Sequence, residues 1–213
     1  MKEYPFLCDE GWGSKEFPNE LRDLYHSYVP SISKDFMAVS PELSAFCLSL
    51  CRHLEPRSIL DLGSGYSSAV FRYYARTAQP TPTVVSVDDS PGWLERTSEF
   101  LRTHDLPFDN LVEWESFQRM EHGRFDMVFY DLGHVRGLRT TAFEKVIDFV
   151  GPGGVLILDD MNFIGYKRHV KRMLKKSRLR AYSAEHFTRD SFGRYAYLMT
   201  NDRLSSDPHG PEE

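Results

Sequence analysis

The sequence predicts an α/β protein, a doubly wound and mostly parallel seven-stranded sheet with an N-terminal extension. Three observations carry that prediction. Short apolar runs end in aspartate at Ile59-Leu60-Asp61, at Val84 to Asp88, at Phe125 to Asp131 and at Val155 to Asp160. Stretches of helical length and pattern lie between them, and this alternation builds parallel sheets. Gly63 and Gly65 sit one residue apart between the first run and the first helical stretch, which reads as strand, glycine turn, helix.

Residues 1–39 carry many aromatics and turn formers, among them Tyr4, Phe6, Trp12, Phe17, Tyr25, Tyr28 and Phe36. A short helix is expected from about Pro18 to Tyr28. Two uses for this segment stand open: a lid or substrate wall over the open end of the sheet, or packing against the core. Ser40-Pro41-Glu42 starts a helix, with a capping hydroxyl and proline at the first helical position. It should run to about His53, with Pro56 beyond its end. The first strand follows, the apolar Ile59-Leu60 leading into Asp61 and through the glycine turn into a helix-like stretch from Ser67 to Arg76. Thr83 to Asp88 is a buried strand, and Asp89 or Ser90 can cap the next helix, expected over 91–104. Leu111 to Trp114 is a weaker strand. Phe125 to Asp131 is the fourth strand, followed by a helix from about Leu138 to Val150. Gly151-Pro-Gly-Gly reads as a helix stop and turn before a strand over Val155 to Asp160. Residues 167–180 are densely basic, and Val170, Met173 and Leu174 share one helical face. Two last strands, around Ala181 to Ser183 and Arg194 to Thr200, should pair antiparallel. The tail from Ser205 is polar with Pro and Gly and is expected to be disordered. The expected division is an extension over 1–39, a cofactor-binding domain over 40–204 and a tail over 205–213.

The chain has 213 residues, enough for one domain with a real core. Its net charge of -5 argues against general nucleic-acid binding, which needs a basic surface. No apolar run has the length of a membrane span, and the N-terminus lacks the apolar core of a signal peptide. Three cysteines without paired spacing point to a reducing, cytoplasmic setting. Cys47 and Cys51, four apart on a helix, read as two small buried residues. A homo-oligomer is compatible with the sequence and is not specified by it.

The glycine turn selects among ligands. A dinucleotide turn wants a third glycine, where this chain has Ser68. Asp61, two residues before the first glycine, would repel a pyrophosphate and suits a cationic group. On these residues, Asp61-Leu62-Gly63-Ser64-Gly65, the turn resembles the first motif of the class I S-adenosylmethionine-dependent methyltransferases. The resemblance implies a Rossmann-like methyltransferase fold over roughly residues 40–200. It implies that Asp61 faces the methionine amino end and that Gly63, Ser64, Gly65, Tyr66 and Ser67 pass under the cofactor. An acid closing the second strand about 20–25 residues on can accept both ribose hydroxyls. Asp88 is the preferred residue for that, with Asp89 beside it, while the resemblance puts adenine contacts at Glu115 and Ser116.

In open parallel sheets, ligands bind beyond the carboxyl ends of the strands. Asp61, Asp88, Asp131, Asp159 and Asp160 all fall near such ends. Asp131, Asp159 and Asp160 exceed what the cofactor needs, and close carboxylates repel unless they are protonated or hold a cation. An all-oxygen set suits Mg²⁺, then Mn²⁺ or Ca²⁺. Asp131 with His134 three residues on, and the pair after the fifth strand, resemble the metal-dependent small-molecule O-methyltransferases of macrolide-sugar and catechol type. The resemblance assigns Asp131, Asp159 and Asp160 to the metal and His134 to the general base. Asp131 can also contact cofactor or acceptor directly. Asp159-Asp160 departs from the Asp-Asn of the catechol enzymes, which disfavours a catechol. The expected activity is methyl transfer to a hydroxyl of a small polyhydroxylated acceptor. The alternatives are a metal-free N-methyltransferase or aminopropyl-transferase-like enzyme, or a cofactor-binding scaffold without catalysis.

Overall fold

The structure is a computed structural model that describes residues 17–177 and 179–201. Tyr4, Phe6, Trp12 and the tail from Ser205 lie outside the described residues. Helices α1 (Asn19–Ser31) and α2 (Pro41–Leu54) precede the sheet. There follow β1 (Ser58–Leu62), α3 (Tyr66–Thr77), β2 (Thr83–Asp88), α4 (Pro91–Thr103), β3 (Leu111–Glu113), α5 (Trp114–Phe117) and β4 (Phe125–Tyr130). The chain continues through α6 (Leu138–Thr141), α7 (Phe143–Asp148), β5 (Val150–Leu158), α8 (Ile164–Leu174), β6 (Leu179–Ser183), α9 (Glu185–Thr188) and β7 (Tyr197–Asn201).

The seven strands lie in the order β3-β2-β1-β4-β5-β7-β6. Strands β1 to β5 pair in parallel, while β7 runs antiparallel to both β5 and β6. The strand order reverses between β1 and β4, and the crevice at such a reversal is where open sheets bind ligands. Alternation along each strand divides the core in two. Ile59, Met127, Phe129, Val155, Ile157 and Leu198 face α1, α2 and α3. Leu60, Leu62, Val128, Tyr130, Leu156 and Leu158 face α7 and α8, where Phe143, Val146, Tyr166 and Val170 close the other layer. The strands are therefore apolar on both faces, as the sequence runs imply.

Local chemistry accounts for the boundaries. The Ser40 hydroxyl accepts from Leu43 N–H at 3.2 Å and caps α2, and the Ser90 hydroxyl accepts from Trp93 N–H at 3.3 Å and caps α4. Cys47 and Cys51 are buried and free, with Cys51 Sγ 3.5 Å from Met127 Sδ. Among the described residues, no helix is long and apolar enough to cross a membrane.

Two expectations are corrected. Gly151-Pro-Gly-Gly does not stop a helix. It lies inside β5 as a bulge, where the register jumps from Phe125↔Val150 to Met127↔Val155. A Cβ on Gly154 would stand 2.9 Å from the Phe125 carbonyl oxygen, so the close approach of β4 requires glycine there. The helix expected over 138–150 is two short pieces, α6 and α7. The break falls at Ala142, and the hydroxyls of Thr140 and Thr141 donate to the carbonyls of Val135, Gly137 and Leu138 just before it. The helix of the basic stretch, α8, buries Val170 with Tyr166.

Candidate active site

The site forms where β1 hands over to α3. Gly63 takes φ +103°, a left-handed conformation, and a Cβ on it would stand 2.7 Å from the Asp131 carbonyl carbon. The turn thus packs directly on the end of β4. The structure places Asp61 behind the turn. Asp61 is the fourth residue of β1 and shares the Ile59 face, so period two points it beneath α3 and away from the crevice. It is fully buried and accepts from the hydroxyls of Ser67 (2.8 Å), Ser68 (2.5 Å) and Ser86 (2.8 Å). Arg72 donates to Ser86 Oγ at 2.7 Å and to the Asp109 carbonyl at 2.8 Å. Burial raises the Asp61 pKa, and the three hydroxyls and Arg72 oppose that rise. Asp61 therefore holds the cofactor turn from behind. Ser68, at the third glycine position, also accepts from Gly65 N–H at 3.1 Å.

Above the turn lies a cavity of about 280 Å³. Gly63, Ser64, Gly65, Tyr66 and Ser67 line it, together with Asp88, Asp89, Ser90, Asp131, Gly133 and Arg139. Asp88 closes β2 with its Oδ2 accepting from Ser64 N–H at 2.9 Å and its Oδ1 from Ser90 N–H at 3.0 Å. Oδ2 also accepts from the Ser64 hydroxyl at 3.3 Å, so Oδ1 is the oxygen that keeps a lone pair for a donor from the cavity. Burial pushes the Asp88 carboxyl up to about 6. Trp93 anchors its indole N–H on the Ser64 carbonyl and lends the cavity an apolar wall with Met37, Ala38 and Val39. A buried diol acceptor, an apolar wall and a glycine turn together fit a nucleoside cofactor. Glu115 and Ser116 are not brought to this cavity. They ride on α5 beyond β3, where Glu115 is exposed and Ser116 accepts from Arg119. Strand β3 ends at Glu113, level with Asp88 of β2, and the chain turns directly into α5.

A second cavity, of about 360 Å³, adjoins the first. Asp131, Asp159, Asp160, Arg139 and Arg194 supply its charges, and Phe36, Met37, Val135 and Phe163 its apolar side. Met37, Asp131, Gly133 and Arg139 line both cavities. The three expected carboxylates do converge, but around a guanidinium. Arg139 Nη1 donates to Asp160 Oδ2 at 2.6 Å and Nη2 forms a close ion pair with Asp131. The same group also donates to the carbonyls of Asp131 (2.6 Å) and Gly133 (2.8 and 3.0 Å). Burial works against the Arg139 charge, but Asp131 and Asp160 outweigh it and hold its pKa above the ordinary value. Among the described residues, no three His, Cys, Asp or Glu side chains are arranged to hold a metal ion. The donor set fits a divalent ion poorly, because Asp131 and Asp160 are both spent on Arg139.

Asp159 lies deepest on this wall and is 4% exposed. Its Oδ1 accepts from Asp160 N–H at 2.6 Å. Burial, and then the Asp160 charge, push its carboxyl up to about 7. His134 stands exposed on the rim, with Nδ1 accepting from Arg136 N–H at 3.1 Å. A neutral ring held this way carries its proton on Nε2 and offers the cavity a donor. Arg139 and Trp93 join the site without having been expected from the sequence, while Tyr28 and Met37 come from the 1–39 segment read as a candidate wall. The surplus of three carboxylates was the signal for Arg139, since a buried cluster of that charge requires a cation nearby.

Similarity to known proteins agrees with this geometry. Residues 60–161 match the Methyltransferase domain family, a span that includes the glycine turn, Asp88 and all three rim aspartates. Methyltransferase str3 of Strobilurus tenacellus is 27% identical over 116 residues, 52% of this chain. The match spans 37% of that protein's length. Among solved structures, an O-methyltransferase from Bacillus cereus in complex with SAH has a TM-score of 0.66 at 18% identity. It covers 92% of this chain and 94% of that one. The O-methyltransferase TomG of Streptomyces achromogenes, involved in tomaymycin synthesis and in complex with SAM, has a TM-score of 0.65 at 18% identity. It covers 92% of this chain and 95% of its own. At such identities these likenesses establish the fold.

Proposed function

We propose that this chain, a class I methyltransferase by fold with a methyltransferase domain match over residues 60–161, transfers a methyl group from S-adenosylmethionine to a hydroxyl oxygen of a small acceptor. The observation that carries the reading is the shared wall: Met37, Asp131, Gly133 and Arg139 line both the cavity over the glycine turn and its neighbour. Two ligands placed in these cavities meet there, which is what direct group transfer requires. The cofactor, when bound, supplies an electrophilic methyl carbon. Asp88 accepts the ribose hydroxyls, the Gly63 to Ser67 backbone lies under the cofactor, and Asp131 stands where the two ligands meet. The acceptor bears hydroxyls for Asp131, Asp159 and Asp160 and an apolar body for Phe36, Met37, Val135 and Phe163. Residues 17–39 serve as the substrate wall through Phe36 and Met37, while Ala38 and Val39 wall the cofactor cavity.

His134 takes the proton of the acceptor once its ring turns and frees a nitrogen lone pair. Asp159 is a second base on the same wall, favoured because His134 Nδ1 is already engaged by Arg136 N–H. Turnover across pH in His134→Ala and Asp159→Asn separates them. Loss of about ten- to a thousandfold in the histidine variant, with unchanged S-adenosylhomocysteine affinity, assigns His134. The same loss confined to Asp159→Asn assigns Asp159.

A specific observation also favours a cationic acceptor: among the described residues, Asp159 has no ion pair. Incubation with methyl-labelled S-adenosylmethionine and matched panels of hydroxylated and amine acceptors decides between O- and N-transfer. Absence of S-adenosylhomocysteine binding by calorimetry would sink both.

A further inference from the structure

We propose that Arg139 is the resident cation of this site and stands where a divalent ion would otherwise sit, so that the chain orients its acceptor without metal. Three close carboxylates need positive charge. The structure supplies it from α6, just after the loop that carries His134. Every nitrogen of the guanidinium is used, on the carboxylates of Asp131 and Asp160 and on the carbonyls of Asp131 and Gly133. The side chain is 7% exposed, so solvent screens its charge little.

Asp160 takes part in the arrangement. It adopts a left-handed conformation, φ +60°, which aspartate tolerates better than most residues. Its N–H is held by Asp159 and its carboxylate by Arg139. A divalent ion bound to Asp131 and Asp160 would have to displace the guanidinium and leave a buried charge without its two carboxylates, which is costly. Arg139 is also part of the wall between the two cavities. It acts as a positioning residue, setting the direction of Asp131 at the junction. An acceptor held here is held by hydrogen bonds to carboxylates, so a vicinal diol gains nothing from chelation.

The metal-binding test stands without the proposed activity, while the turnover arm rests on it. The full chain saturated with S-adenosylhomocysteine is titrated with Mn²⁺ and free ion is read by electron paramagnetic resonance. The wild type should match the buffer blank. Arg139→Met uncovers Asp131, Asp159 and Asp160 and should gain one Mn²⁺ site, lost again on adding Asp160→Asn. Wild-type turnover should be unchanged by a chelator. One stoichiometric site in the wild type, abolished by Asp160→Asn, overturns the proposal. So does a folded Arg139→Met, verified by circular dichroism, that gains no site. If that variant fails to fold, the wild-type titration decides by itself, with Arg139→Lys as the charge-retaining control that should also stay metal-free.

Discussion

Asp88 shows how one side chain couples cofactor affinity to pH. Its two oxygens are fixed by Ser64 N–H and Ser90 N–H, and burial lifts its pKa to about 6. Only the ionised form accepts from two hydroxyls at once. S-adenosylhomocysteine affinity should therefore weaken as pH falls through about 6. At higher pH, Asp88→Ala should weaken it by about tenfold or more, since hydrogen bonds to a charged group are worth about 1.5–3 kcal/mol. Calorimetric titration on the acid and alkaline sides of that value checks both, and a pH dependence that survives in the variant would remove Asp88 from the role. Asp61 is a different case at the same scale. It was legible as an acid by the glycine turn, yet its direction was set by its place within β1. Asp61→Asn is expected to act on the turn through Ser67 and Ser68, lowering stability along with cofactor affinity, and a thermal melt beside the calorimetry reads both.

At the scale of elements, the junction of β1 and β4 is the tightest point of the fold. Gly63 combines a left-handed φ with backbone so close that an added Cβ would stand 2.7 Å from it, and backbone cannot relax as a side chain would. Gly63→Ala should destabilise the chain by about 1–3 kcal/mol, the range for overpacking and strained backbone, read as a lowered urea midpoint. Gly154→Ala should do likewise where β5 crowds the Phe125 carbonyl, while Gly153→Asn, with open space around it and a φ that asparagine tolerates, should cost far less. Similar losses at Gly153 and Gly154 would contradict the close-approach argument. The α6–α7 break belongs here too: helical periodicity ran through Ala142, and nothing local showed that the helix would break there.

For the whole molecule, buried acids make stability depend on pH. Asp88 and Asp159 are held up to about 6 and about 7, chiefly by burial, whereas the unfolded chain ionises them near 3.8. Their contribution to stability is fully present below the unfolded value and is lost as pH rises through the folded one. For Asp88 alone, the rise to about 6 corresponds to about 3 kcal/mol. Unfolding free energy should fall as pH rises from about 4 to about 8, and less so in Asp88→Asn. Equal slopes in wild type and variant would refute the assignment.

By itself, the sequence determined the alternation of strands and helices, the glycine turn, the cap residues Ser40 and Ser90 and the aspartates near the strand ends. These are local properties, written in periods of about two and 3.6 residues and in the few residue types that turns and caps accept. Tertiary structure alone decided which way the carboxylates point and what neutralises them. Asp61 went behind the turn because of strand alternation, and Glu115 and Ser116 were carried off on α5, which starts as soon as β3 ends. Asp131 and Asp160 found Arg139, whose guanidinium is also held by the Asp131 and Gly133 carbonyls. Arg139 lies 21 residues from Asp160 and Ser86 lies 25 from Asp61, and no local pattern encodes such a pairing.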